Sequence, residues 1–179
     1  KHYAELRVGP QWGTANARID IGDPNEPELN ERIAGWSVRF TADQLDKSVL
    51  PTSGYQFSID SFQASRNMGS EEEYERVLLK YRQYISLGSH ILSMGFDAGS
   101  SFESELPSYS DFMMGGMSSF LGLAQGQRSG RYMGVCSLGY RYRIARLPPS
   151  LGDGVYTVAR VDMGNVWEES SDVGSDDLL

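Results

Sequence analysis

Ala34-Gly35-Trp36-Ser37-Val38-Arg39-Phe40-Thr41-Ala42 is the stretch that decides the fold. One phase holds Ala34, Trp36, Val38, Phe40 and Ala42, and the other holds Gly35, Ser37, Arg39 and Thr41. Period-two alternation puts the two sets on opposite faces of a β-strand. The same pattern recurs in eight segments from end to end, with Arg, Lys or Asp on the polar phase. It matches the wall of an all-β, antiparallel up-and-down barrel, apolar outside and polar inside, of the kind that stands in a bacterial outer membrane.

Working towards the N-terminus, residues 2–9 and 14–22 are expected to form a hairpin around the turn Gly9-Pro10-Gln11-Trp12-Gly13. Two prolines in Asp23-Pro24-Asn25-Glu26-Pro27 forbid a central strand there. Towards the C-terminus, strands are expected from Gly54, over 74–85, around Leu92–Ala98, over 130–144 and over 155–163. Glu71–Arg82 also suits a helix by composition. Tyr74, Tyr81, Tyr84 and the alternation favour a strand. Residues 99–129 form the longest irregular stretch, and a connection of that length is usually functional or disordered.

Alternate connections of a meander lie at the same end. One end then gathers 23–32, 65–73, 99–129 and 164–179, and the other 10–13, 43–53, 86–88 and 145–154. The first set is longer and more acidic, as in barrels with long external loops and short periplasmic turns, although 43–53 is not short.

The 179 residues suffice for one domain. The chain starts at Lys1 without an export signal, as expected of a mature or excised segment. No run is long and apolar enough for a transmembrane helix, but a barrel strand needs only about ten residues and has weak average hydropathy. The mean hydropathy of −0.40 therefore decides nothing. A net charge of −8 without a basic stripe argues against a nucleic-acid partner. Cys136, the single cysteine, sits on an apolar phase and reads as a small hydrophobe. His2 and His90 lack a carboxylate or cysteine at ligand spacing, so neither a metal nor another cofactor is expected.

Catalytic chemistry is not expected either. A nucleophile elbow needs Gly-x-Ser-x-Gly, and Gly116-Met117-Ser118-Ser119-Phe120 fails at its last position. Gly126-Gln127-Arg128-Ser129-Gly130 lacks the ending of a phosphate loop. The acid pairs Glu103 with Glu105 and Asp176 with Asp177 lie in acidic loops and read as solvated.

Alternation alone does not say which face is wet. In a soluble sheet, Arg39, Arg76, Lys80, Arg82, Arg141, Arg143 and Arg160 would face water. In a membrane barrel they would line a hydrated interior and pair with Asp20, Asp60, Asp97 and Asp162. Trp36, Tyr55, Tyr74, Tyr84 and Tyr132 near strand ends suit interfacial girdles. The final loop runs off without a closing strand, which suits a piece of a larger closed sheet.

Three landmarks carry a family resemblance. Leu106-Pro107, Phe112-Met113-Met114-Gly115-Gly116 and Phe120-Leu121-Gly122 together resemble the long inward-folding loop of the bacterial surface antigen family, the outer-membrane assembly-and-translocation barrels. Val161-Asp162-Met163-Gly164-Asn165-Val166-Trp167 is similar to that family's late strand, and Leu45-Asp46 with Leu50-Pro51-Thr52-Ser53-Gly54-Tyr55 to a periplasmic turn entering a strand. Met68-Gly69-Ser70-Glu71-Glu72-Glu73-Tyr74 looks like a stretch of the branch whose barrel follows a patatin-like phospholipase domain.

The resemblance implies that residues 1–179 are a partial C-terminal outer-membrane β-barrel domain, about eight strands of about sixteen, with no second domain. It implies anchoring, and help in exporting, an upstream patatin-like hydrolase domain. The alternative is the barrel of an insertase or two-partner secretion transporter with transport repeats upstream. A soluble β-domain binding a small ligand is a further alternative. Outer-membrane lipid is an implied partner, and a homodimer is left open. Phe112, Gly115, Gly116, Leu121 and Gly122 are the implied working residues of the loop, with Arg141, Arg143, Arg160 and Asp162 lining the lumen near it. One departure matters. The family tip carries an arginine that pins the loop to an acidic wall residue, whereas Phe120-Leu121-Gly122-Leu123 has none.

Overall fold

The computed structural model describes residues 3–17, 29–116, 119–148, 150, 152–174 and 178–179. Its strands are β1 Tyr3–Ala17, β2 Leu29–Asp43, β3 Gly54–Ala64, β4 Glu75–Leu87, β5 His90–Ser100, β6 Phe112–Met114, β7 Arg128–Gly130, β8 Tyr132–Arg146 and β9 Gly154–Trp167. A seven-stranded sheet runs in the order β1-β2-β3-β4-β5-β8-β9, and β6 pairs with β7 inside the connection from β5 to β8. All pairings are antiparallel. β1 and β9 are its edges, so the wall is an open part of a barrel.

Where a hairpin was expected over 2–22, the described residues Tyr3–Ala17 form one strand. β1 runs straight through Gly9-Pro10-Gln11-Trp12-Gly13 and pairs with β2 without a break from Tyr3↔Asp43 to Ala17↔Leu29. The alternation of Val8, Pro10 and Trp12 with Gly9, Gln11 and Gly13 keeps its phase across the supposed turn. Pro10 sits opposite Trp36 in an edge strand of the described sheet, the position at which a sheet accepts proline. Among the described residues the sheet therefore has seven strands where eight were expected. Residues 18–28, with Asp20, lie outside the described residues. β4 is a strand rather than a helix, and β9 continues past the expected end to Trp167.

The registers define an inner face. One row across the sheet reads Arg7, Arg39, Asp60, Leu78, Gly99, Met133 and Val166. The outer face carries Leu6, Val8, Trp12, Leu138, Ile144 and Val161, and Leu138 and Val161 are 63% and 71% exposed. Burying an aliphatic side chain is worth roughly 1.5–3 kcal/mol. A sheet that leaves these residues uncovered and turns Arg39, Arg76, Arg82, Arg141 and Arg160 inward is built for lipid outside and water inside. The described helices are short 3-10 turns, and none is long and apolar enough to cross a membrane.

Trp36, Tyr55 and Tyr132 belong to the outer face. Tyr84 belongs to the inner face, with the Arg141 guanidinium 5.7 Å from its ring, and Tyr74 is buried against Phe62. Those two are not girdle residues. Tyr81 joins the outer set, stacked on Tyr55 at 6.5 Å. Connections 65–74 and 101–131 share one end of the sheet, and 44–53, 88–89 and 147–153 share the other.

Candidate functional site: the folded-in loop and its wall

The connection between β5 and β8 lies on the inner face. Its root is the β6–β7 ladder, where Phe112, Met113 and Met114 pair with Gly130, Ser129 and Arg128. Phe112 and Met114 are fully buried and join Phe120, Met133, Val135 and Val166 in the hydrophobic cluster of the molecule, flanked by Leu78, Leu106 and Leu123. Apolar loop residues thus cover apolar residues of an otherwise polar inner wall.

Glycine makes the fit possible at the contact. A Cβ on Gly99 would stand 2.6 Å from the Phe112 ring, so only a bare backbone lets β5 accept that ring. The Arg76 guanidinium lies 4.6 Å from the centroid of the same ring, within cation–π range. Gly115 has φ +126°, and a Cβ there would fall 2.0 Å from the Ala124 carbonyl oxygen. Gly115 and Gly116 let the chain fold back on itself, with the Gly116 N–H donating to the Leu123 carbonyl at 3.0 Å and the Phe120 N–H to the Gly116 carbonyl at 3.0 Å.

The tip is held by the wall. The Leu121 N–H donates to Asp162 Oδ2 at 2.9 Å. Arg160 donates from Nε to Asp162 Oδ1 at 2.8 Å, and from Nη2 to the Ser119 carbonyl at 3.0 Å and to Ser137 Oγ at 3.3 Å. An arginine and an aspartate two residues apart on β9 therefore grip the main chain of the tip. The arginine missing from Phe120-Leu121-Gly122-Leu123 has its counterpart in the wall, and the loop is anchored without it. The root is tied as well. Arg128 Nη1 donates to Asn165 Oδ1 at 2.9 Å, and the Gly130 backbone lies so close to Trp167 that a Cβ would meet its carbonyl oxygen at 2.7 Å.

Of the residues singled out from sequence, Phe112 is the buried anchor and Gly115 and Gly116 shape the fold-back. Leu121 contributes its N–H while its side chain stays exposed, and Gly122, at φ +94°, turns the tip. Arg160 and Asp162 touch the loop. Arg141 and Arg143 share the inner face but sit towards the opposite end of β8, away from the loop. The Arg141 guanidinium donates there to the Pro51 carbonyl. Sequence reasoning missed Met114 and Phe120 as core residues, Gly99 as the floor beneath Phe112, and Arg128 with Asn165. A signal for Asn165 was present in the landmark from Asp162 to Trp167, whose Asp162, Asn165 and Trp167 all approach the loop.

Three further ion pairs among the described residues line the inner face. Arg82 donates to Asp97 from Nη1 and from Nη2, the latter at 2.9 Å, Arg39 pairs with Asp60, and Arg7 pairs with Glu5 at 2.7 Å. No group of His, Cys, Asp and Glu among the described residues could hold a metal ion.

No curated protein matches the chain. The crystal structure of BamA from Haemophilus ducreyi lacking POTRA domains 1–3 matches with a TM-score of 0.73 and 18% identity, over 92% of this chain and 39% of that one. The chain thus spans well under half of that relative. The model of the Omp85 superfamily domain matches residues 24–178. With the sheet, the inward loop and the apolar outer face, this match means that the chain belongs to the Omp85 superfamily and forms part of a barrel of the bacterial outer membrane.

Proposed function

We propose that this barrel anchors an upstream patatin-like phospholipase domain in the outer membrane and assists its export. The observation that carries the reading is the fixing of the loop at both ends, by Phe112 and Arg128 at its root and by Arg160 and Asp162 at its tip. A loop held in this way is a standing part of the lumen, which suits an anchor better than a conduit that must clear its own bore. The stretch Met68 to Tyr74, similar to the patatin-linked branch, supports the same assignment.

The test is the coding sequence upstream of Lys1, followed by the activity of its product. A Gly-x-Ser-x-Gly elbow, with lipase activity in outer-membrane fractions that is lost from them when the barrel is removed, is the expected result. Transport repeats alone upstream would overturn it. They would favour the second reading, an insertase or secretion barrel, to which the likeness to BamA lends fold-level support.

A further inference from the structure

The connection between β2 and β3 is long for the end at which it lies, and its ten residues are not loose. The Gln44 N–H donates to the Tyr55 carbonyl at 2.8 Å and the Asp46 N–H to the Ser53 carbonyl at 3.1 Å, which extends the hairpin past the strands. The Asp46 carboxylate then accepts from the N–H groups of Thr52 and Ser53 at 2.8 and 3.0 Å and from the Thr52 hydroxyl. A single side chain thereby closes the turn over Lys47–Pro51.

This closed turn reaches far along the wall. Lys47 Nζ lies 3.1 Å from Asp153 Oδ2, in the connection between β8 and β9, and the same oxygen accepts from the Tyr156 hydroxyl at 2.8 Å. The Pro51 carbonyl accepts from Arg141 on β8, whose guanidinium lies 5.7 Å from the Tyr84 ring and 6.0 Å from the Tyr156 ring. In the sheet, β4 and β5 stand between β3 and β8. With strands about 4.8 Å apart, the turn spans roughly 14 Å of wall. It crosses on the inner side, because Arg141, Tyr84 and Tyr156 all belong to that face. Ile91, the inner-face residue of β5 paired with Arg141, is buried although it lies outside the cluster beneath the folded-in loop.

We propose that the 44–53 connection is a clasp, which ties β3 to β8 and β9 across the inner face of β4 and β5 and narrows that end of the lumen. The two latches differ in kind. The bond from Arg141 to the Pro51 carbonyl is partly buried and charge-assisted, and so is the stronger. The Lys47–Asp153 pair is half-exposed and mainly sets the position of the turn.

The clasp is tested on the intact protein that carries this chain, reconstituted in planar lipid bilayers at moderate salt. Replacing residues 47–51 by a two-residue turn should give the largest rise in mean current. Arg141→Gln should raise it about tenfold and Asp153→Lys about twofold to threefold. The exchanged pair Lys47→Glu with Asp153→Lys should return the current to that of the parent, which a merely destabilised wall would not do. Migration of the unboiled protein on a gel shows which variants are folded. Folded Arg141→Gln and clasp-shortened proteins with the parent's current would overturn the proposal, as would an exchanged pair that behaves like Asp153→Lys alone.

Discussion

The inner wall has two halves that are written alike and behave differently. Across β4, β5, β8 and β9, where the loop lies, the acids of the ion pairs are sealed, with the side chains of Asp97 and Asp162 6% and 1% exposed. Across β1 to β3, which the loop approaches through Tyr109 beside Glu31, Glu5 and Asp60 are 45% and 38% exposed. Both halves alternate charged and apolar residues with the same period. What separates them is the loop, which removes water from one set of pairs and leaves the other solvated. A sealed pair is costly to break because the surviving partner is stranded, whereas a solvated pair exchanges its partner for water.

Substitutions can break or sharpen that contrast, taken here from the largest expected effect downwards. Phe112→Ala removes the anchor ring and should cost about 3–5 kcal/mol. It would be read as a lower temperature for loss of the fast-migrating folded form of the intact protein. Asp162→Ala takes the acceptor from the Leu121 N–H and the carboxylate from Arg160, and should cost about 2–3 kcal/mol. Hydrogen exchange at the Leu121 amide should quicken first, and an unchanged rate would mean that the tip is held elsewhere. Gly99→Ala sets a methyl group against Phe112 and should cost about 1–3 kcal/mol, with the folded form still reached. Arg39→Gln, in the open half, should cost below about 1 kcal/mol. If it matched Asp162→Ala, the difference between the halves would not arise from cover.

The smallest expected effect is one of pH, at the 44–53 turn. Burial raises the Asp46 carboxyl, but hydrogen bonds from the Thr52 hydroxyl and the Ser53 and Thr52 N–H groups outweigh it and bring the pKa from 3.8 to about 2. A carboxyl lowered on folding stabilises above its unfolded pKa and loses that contribution as pH falls through the folded one. The 44–53 turn should therefore keep its protection from hydrogen exchange at pH 5 and lose part of it between about pH 4 and 2. Asp46→Asn should remove that pH dependence.

The alternation in β2, β3, β8 and β9 was legible in the sequence because side-chain phase is written one residue at a time, whereas the inward loop over Phe112–Gly116 was expected only from the family resemblance of its motif. β1 was misread since Gly9-Pro10 and Trp12-Gly13 have turn chemistry, and only the partner strand shows that the phase continues. The grip of Arg160 on Ser119 was not legible. It joins a side chain to a main-chain carbonyl 41 positions away, and a carbonyl carries no residue-type signature. The reach from Lys47 to Asp153 was hidden for a similar reason, since it depends on how many strands separate two turns rather than on either turn's composition.

The inner-face glycines also record where the wall is occupied. A Cβ at Gly99 would meet Phe112 of the loop, one at Gly35, Gly95 or Gly139 would meet Gln63, Arg82 or Ser93 of the wall, and one at Gly9 or Gly13 would meet nothing within 4 Å. A complete alanine scan of the glycines would therefore draw a footprint. Refusal of a methyl group at Gly99 would mark the seat of the loop, refusal at Gly35, Gly95 and Gly139 would mark crowding within the wall itself, and acceptance at Gly9 and Gly13 would mark open wall, all legible in growth or expression data alone.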